Sequence, residues 1–102
     1  MGKYLITYIG GAQPDDMTEQ QRNDVMQQWV DWYTGLGEAV VDAGNPTSAS
    51  RVVGPGSGTV PDVTGYTVIS ADSLDAAAAA CSKHPHLDAG GTIHVYETFE
   101  VM

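Results

Sequence analysis

The spacing of apolar side chains divides the chain into two kinds of segment. Lys3 to Ile9, KYLITYI, is rich in β-branched and aromatic residues and stops at Gly10-Gly11, which predicts a strand. A polar loop, AQPDD, leads to Thr18, with Gln21 three residues later, the signature of a capping box at a helix start. Apolar residues then recur at Val25, Met26, Trp29, Val30, Tyr33, Leu36, Val40 and Ala43, the spacing of one helical face. Gly44 is expected to end this helix, and Asn45-Pro46 to prevent its resumption. Gly35 and Gly37 predict a kink within it, or a close approach by another backbone.

Ser48 to Val53 forms a weaker strand pattern, followed by GPGSGTVPDVTG, a Gly- and Pro-punctuated connection expected to be exposed and mobile. Tyr66 to Ala71 is a clear strand. Asp72 or Ser73 then caps a helix with the body LDAAAAACSK, which Pro85 is expected to stop. Thr92 to Val101 is the last strand. The order β-α-β-β-α-β predicts an α+β, ferredoxin-like fold, with a four-stranded antiparallel sheet and both helices on one face.

The strands are apolar on both faces. Tyr4, Ile6 and Tyr8 oppose Leu5 and Ile9; Tyr66 and Val68 oppose Ile69 and Ala71; Ile93, Val95, Phe99 and Val101 oppose His94 and Tyr96. Two helices cover only one face, so the excess predicts that the other packs on a second copy, giving a dimeric α+β barrel. Tyrosines that simply tolerate solvent are the alternative.

Composition narrows the partners. A chain of 102 residues with 42% hydrophobic and 17% charged side chains is sized for one globular domain, residues 1–102. Thirteen acidic against four basic residues give a net charge of −9, which repels phosphate backbones and anionic lipid, so neither nucleic acid nor membrane is expected as a partner. A single cysteine, no leader-like start and no long apolar run predict a cytoplasmic protein.

All three histidines, His84, His86 and His94, fall within HPHLDAGGTIHVYE, close behind Cys81. Their spacing matches no zinc pattern, and Pro85 sets His84 in extended backbone, so no metal and no cofactor is expected. Cys81 reads as a small buried hydrophobe at a helix end, where the dipole discourages a thiolate. Ser57 lacks a nucleophile elbow, and GPGSG lacks the ending of a phosphate loop. General acid–base chemistry remains. His86, in the turn before the last strand, is the candidate proton carrier, with a plain turn residue as its alternative. His84 is expected to cap carbonyls at a helix end, and His94 to face the second copy. Trp29 and Tyr33 continue the apolar stripe as core, whereas Trp32 is offset towards a pocket wall. Trp29, Trp32, Asn45 and Ser48 are the candidate lining of a small-molecule pocket beside the first helix.

The segments KYLITYIGG, WVDWYTGLGEAVVDAGNP, GYTVISADSLDAAAAACSKHPHL and GGTIHVYETFEVM together resemble the YCII-like proteins, the group that includes the DGPF-domain proteins. The resemblance runs through nearly the whole chain and implies a single YCII-like domain that forms a dimeric α+β barrel. In that group a histidine and an aspartate in a pocket are suggested as an acid–base pair, and one branch removes chloride from a chlorinated aromatic ring. Here the first helix has no histidine, and GPGSGTVPDVTG stands where DGPF is expected, so the pair does not transfer. The HPHL turn resembles the family's helix-to-strand junction, which carries His86 forward. The expectation is an enzyme performing acid–base chemistry on a small organic molecule; its alternative is a non-catalytic binding, accessory or regulatory dimer module.

Overall fold

A computed structural model describes residues 2–11, 16–55 and 62–101. Most of the AQPDD loop and the centre of the GPGSGTVPDVTG connection lie outside the described residues. The elements are β1 (Gly2–Ile9), α1 (Glu19–Leu36), a 3-10 turn (Gly37–Ala39), β2 (Val40–Asp42), β3 (Val63–Ala71), α2 (Leu74–Cys81), α3 (Pro85–Asp88) and β4 (Thr92–Glu97). The sheet runs β2-β3-β1-β4 with every pairing antiparallel, the ferredoxin-like arrangement predicted from the element order.

Strand alternation decides what is buried. Tyr4, Ile6 and Tyr8 of β1 and Ile69 of β3 point to one face, where Ala77 and Cys81 of α2 meet them. Trp29, Trp32 and Leu36 of α1 pack against the same cluster. Ile6 and Ile69, both fully buried, contribute about 1.5–3 kcal/mol each by leaving water. On the opposite face Leu5, Thr7, Ile9, Tyr66 and Val68 are half-buried, while His94 and Tyr96 are exposed. The molecule measures 46 × 37 × 18 Å, the short axis being one sheet and one layer of helices.

Local signals explain the element ends. The Thr18 hydroxyl accepts the Gln21 N–H at 3.1 Å while the Gln21 side chain accepts the Thr18 N–H at 2.9 Å, the reciprocal capping box. Ser73 caps α2 by accepting the Ala76 N–H at 3.0 Å.

Four boundaries differ from expectation. α1 stops at Leu36 rather than continuing to Gly44, because Gly37 takes φ 56 and turns the chain out of the helix. The second strand consequently forms at Val40–Asp42, against β3, and Ser48–Val53 is exposed without regular structure. Past Asp42, among the described residues, the chain meets β3 again only at an isolated bridge from Pro46 to Gly65, beside which the Thr47 N–H donates to the Thr64 carbonyl at 3.1 Å. Pro85 does not end a helix but opens α3, where its missing N–H costs nothing. β4 ends at Glu97, leaving Phe99 and Val101 each 84% exposed. Among the described residues no helix is long and apolar enough to cross a membrane.

Candidate functional site

α1 presents its apolar stripe to the helix-covered side of the sheet, yet none of its residues is fully buried. Val25, Met26, Trp29, Val30 and Tyr33 wall a cavity of about 670 Å³. Tyr8 and His86 line it together with the 43–47 segment that follows β2, and Arg22 also contributes. Tyr33, expected as core, is therefore cavity wall, while Trp29 both packs against the core cluster and walls the cavity. No carboxylate is among the described lining residues. A largely apolar hollow of this size with a few polar groups is the usual form of a small-molecule site.

His84 and His86 flank Pro85, and their environments differ. His84 is the N-cap of α3, with φ −67 and ψ 137, and its Nδ1 accepts the His86 N–H at 3.0 Å. An accepting Nδ1 requires the neutral ring with the proton on Nε2. That ring is 1% exposed and lies between Tyr8, Trp29 and Trp32, with centroids 4.9, 4.4 and 4.3 Å away. Burial, with a smaller repulsion from His86, lowers its pKa to about 4. Its Nε2 has no hydrogen-bond partner among the described residues. The expected role, a partly positive cap on helix-end carbonyls, is thus replaced by a neutral acceptor at a helix start. Polarity reverses because Pro85 begins a new helix instead of closing the old one.

His86 is 7% exposed and lines the cavity. Its Nε2 lies 3.1 Å from the Ile9 carbonyl, which only accepts, so Nε2 carries the proton. Nδ1 then holds a lone pair with no hydrogen bond to any described residue. Two glycines make room for the ring. A Cβ on Gly11 would meet His86 Cε1 at 2.8 Å, and one on Gly91 would overlap Nε2. His86 is therefore held at its backbone by His84, at its far nitrogen by β1, and on its ring by two side-chain-free positions.

A hydroxyl cluster joins the lining residues Tyr8 and Tyr33 to the buried Thr67 behind them. Tyr8 Oη lies 2.7 Å from Thr67 Oγ1, and Tyr33 Oη lies 3.0 Å from the same atom. Thr67 and Tyr33 both reach the Ala43 carbonyl, at 3.0 and 3.1 Å. Burial raises the Tyr8 pKa well above the ordinary phenol value, so its proton stays on. Sequence reasoning missed Tyr8 as a lining residue and the buried Thr67 behind it; their shared sheet face was the available signal.

Of the predicted pocket residues, Trp29, Asn45 and His86 line the cavity. Trp32 turns the other way, donates Nε1–H to Ala80 at 3.1 Å, and borders a separate hollow of about 300 Å³ with Lys83 and Asp31. Ser48 is exposed and outside the lining. His94 lies on the opposite sheet face, 3.2 Å from Tyr96 Oη. Cys81 is buried in α2, its thiol pushed up to about 11 by burial. Among the described residues no three His, Cys, Asp or Glu side chains converge as a metal site.

No family model matches the chain, and no curated protein matches it. Among solved structures it resembles 5-chloro-2-hydroxyhydroquinone dehydrochlorinase from Burkholderia phenoliruptrix AC1100, in complex with 2,5-dihydroxybenzoquinone. The TM-score is 0.57 at 22% identity, covering 96% of this chain and 93% of that one. The two proteins share a fold over nearly their whole lengths.

Proposed function

We propose that this chain is a YCII-like enzyme of the DGPF-related kind, acting as a cytoplasmic homodimer, that admits a small organic ring to the α1 cavity. His86 is its proton carrier: Nδ1 takes a proton from a hydroxyl or an acidic C–H of the bound molecule and returns it later. The observation that carries the reading is the His86 ring itself, anchored through Nε2–H with Nδ1 uncommitted at a cavity wall. Trp29 offers an aromatic face to a ring, and Asn45 a polar contact. A neighbour of the same fold that holds a dihydroxylated quinone supports the substrate class. The apolar second sheet face, with Leu5, Ile9 and Val68 only half-covered, supports the homodimer.

One observation favours a non-catalytic binding or accessory module instead. Among the described residues no aspartate or glutamate lines the cavity, so none of them gives His86 a carboxylate partner there to complete an acid–base pair. NMR titration of the three imidazoles, with and without a panel of phenols, separates the readings. The enzyme requires His86 Nδ1 to respond to the ligand, and the ligand to be altered in a His86-dependent way. Binding that leaves every ligand unchanged in both wild type and His86→Gln establishes the module. Sedimentation at micromolar concentration tests the dimer, and a clean monomer refutes it.

A further inference from the structure

Two rows of α1 side chains wall the cavity, each stepping along the helix by about one turn. Val25, Trp29 and Tyr33 form a half-buried inner row, and Arg22, Met26 and Val30 form an exposed lip. From Arg22 to Tyr33 the wall therefore runs about 16 Å, at about 1.5 Å per residue. A volume of about 670 Å³ falls in the range that accepts drug-sized ligands. One bare ring laid on Trp29 leaves much of that length unfilled.

The lining changes character along this wall. His86, 7% exposed and with Nδ1 uncommitted, holds its ring 6.3 Å from that of Trp29 and 5.3 Å from that of Tyr8. From Trp29 back towards the start of α1, the wall is Val25 and Met26, with Met17 just before the helix. That stretch is about 10 Å long, and Arg22 stands at its far end, donating to the Met17 carbonyl at 2.9 Å. Met26 is 67% exposed, so the described residues leave this apolar lip bare to water.

We infer that the cavity takes an elongated amphipathic molecule, with a polar ring beside His86 and Trp29 and an apolar chain running over Val25 and Met26 towards Met17. This rests on the cavity being a small-molecule site, as proposed above, and adds an apolar second half to the ligand. Its driving force is the water released from chain and lip together. The flexible thioethers of Met17 and Met26 suit a surface that must fit itself to a chain.

The test is calorimetric binding at pH 7 of 4-ethylphenol, 4-butylphenol and 4-hexylphenol, probes with one head and three chain lengths. Each added pair of methylenes should tighten binding about tenfold. Met26→Asp sets a charge under the chain, so 4-hexylphenol should then bind no better than 4-ethylphenol does. Val53→Asp makes the same kind of change at a site 96% exposed and outside the lining, and should keep the full gain. If Met26→Asp fails to fold, the Met26 methyl resonance of the wild type decides: it must shift further with 4-hexylphenol than with 4-ethylphenol. A series flat to within about twofold, a gain that survives Met26→Asp, or a gain lost equally in Val53→Asp overturns the inference and leaves the ligand site standing. No binding by any probe up to its solubility limit overturns both.

Discussion

Acid should destabilise this fold through one side chain. His84 is neutral in the native state with a pKa lowered to about 4, whereas an unfolded chain restores the ordinary value near 6.5. Between these values the unfolded chain binds a proton that the folded one refuses, so stability falls as pH drops from about 6.5 towards about 4. At pH 5 the loss from this residue is about 2 kcal/mol, and below pH 4 it levels off at about 3 kcal/mol. That is a large share of the roughly 5–15 kcal/mol that holds a domain together. The physical source is specific. A proton on Nδ1 would face the His86 N–H that it now accepts, and the resulting charge would sit in a cage of Tyr8, Trp29 and Trp32. His84→Asn keeps an acceptor at the N-cap and cannot titrate. Urea denaturation of wild type and variant from pH 8 to pH 4.5 isolates the effect, because other titrating groups cancel in the difference. The wild-type advantage should shrink by about 2 kcal/mol on going to pH 5. A difference constant to within about 0.5 kcal/mol across that range would falsify the caged, neutral His84.

Gly91→Ala should displace the His86 ring from Ile9, because the new methyl overlaps Nε2; the expected result is loss of the ligand-induced His86 shift and a cost of about 1–3 kcal/mol by urea denaturation. Gly44→Ala combines φ +77 with a methyl driven into the Tyr66 carbonyl, so it should lower the thermal midpoint more than the same change at Gly35, where no atom lies within 4 Å. Thr18→Ala deletes half the capping box and should cost about 1 kcal/mol, with amide exchange accelerated in the first turn of α1 only. Ile6→Ala, in the centre of the core, should cost about 2–5 kcal/mol; a cost under 1 kcal/mol would mean that the site collapses freely.

The sequence determined whatever depends on near neighbours. Strand alternation in KYLITYI and YTVISA set which residues face the helices, Thr18 with Gln21 set where α1 begins, and the element order implied the antiparallel sheet. Those signals act over two to four residues and survive in isolation. Tertiary structure decided the rest, because the competing choices differ only in what lies opposite. A three-residue edge strand carries no periodicity, so β3 alone chose Val40–Asp42 over Ser48–Val53. The stripe on α1 read as core because spacing shows that a face is apolar and cannot show that the sheet stands far enough away to leave a cavity. His84 and His86 look alike in HPH. Tyr8 and Trp29 lie against both rings, and what separates a caged neutral acceptor from a ring with a free lone pair is Trp32 closing over one and Ile9, Gly11 and Gly91 meeting the other. Burial and partner fix a histidine's proton, and both come from residues distant in the chain.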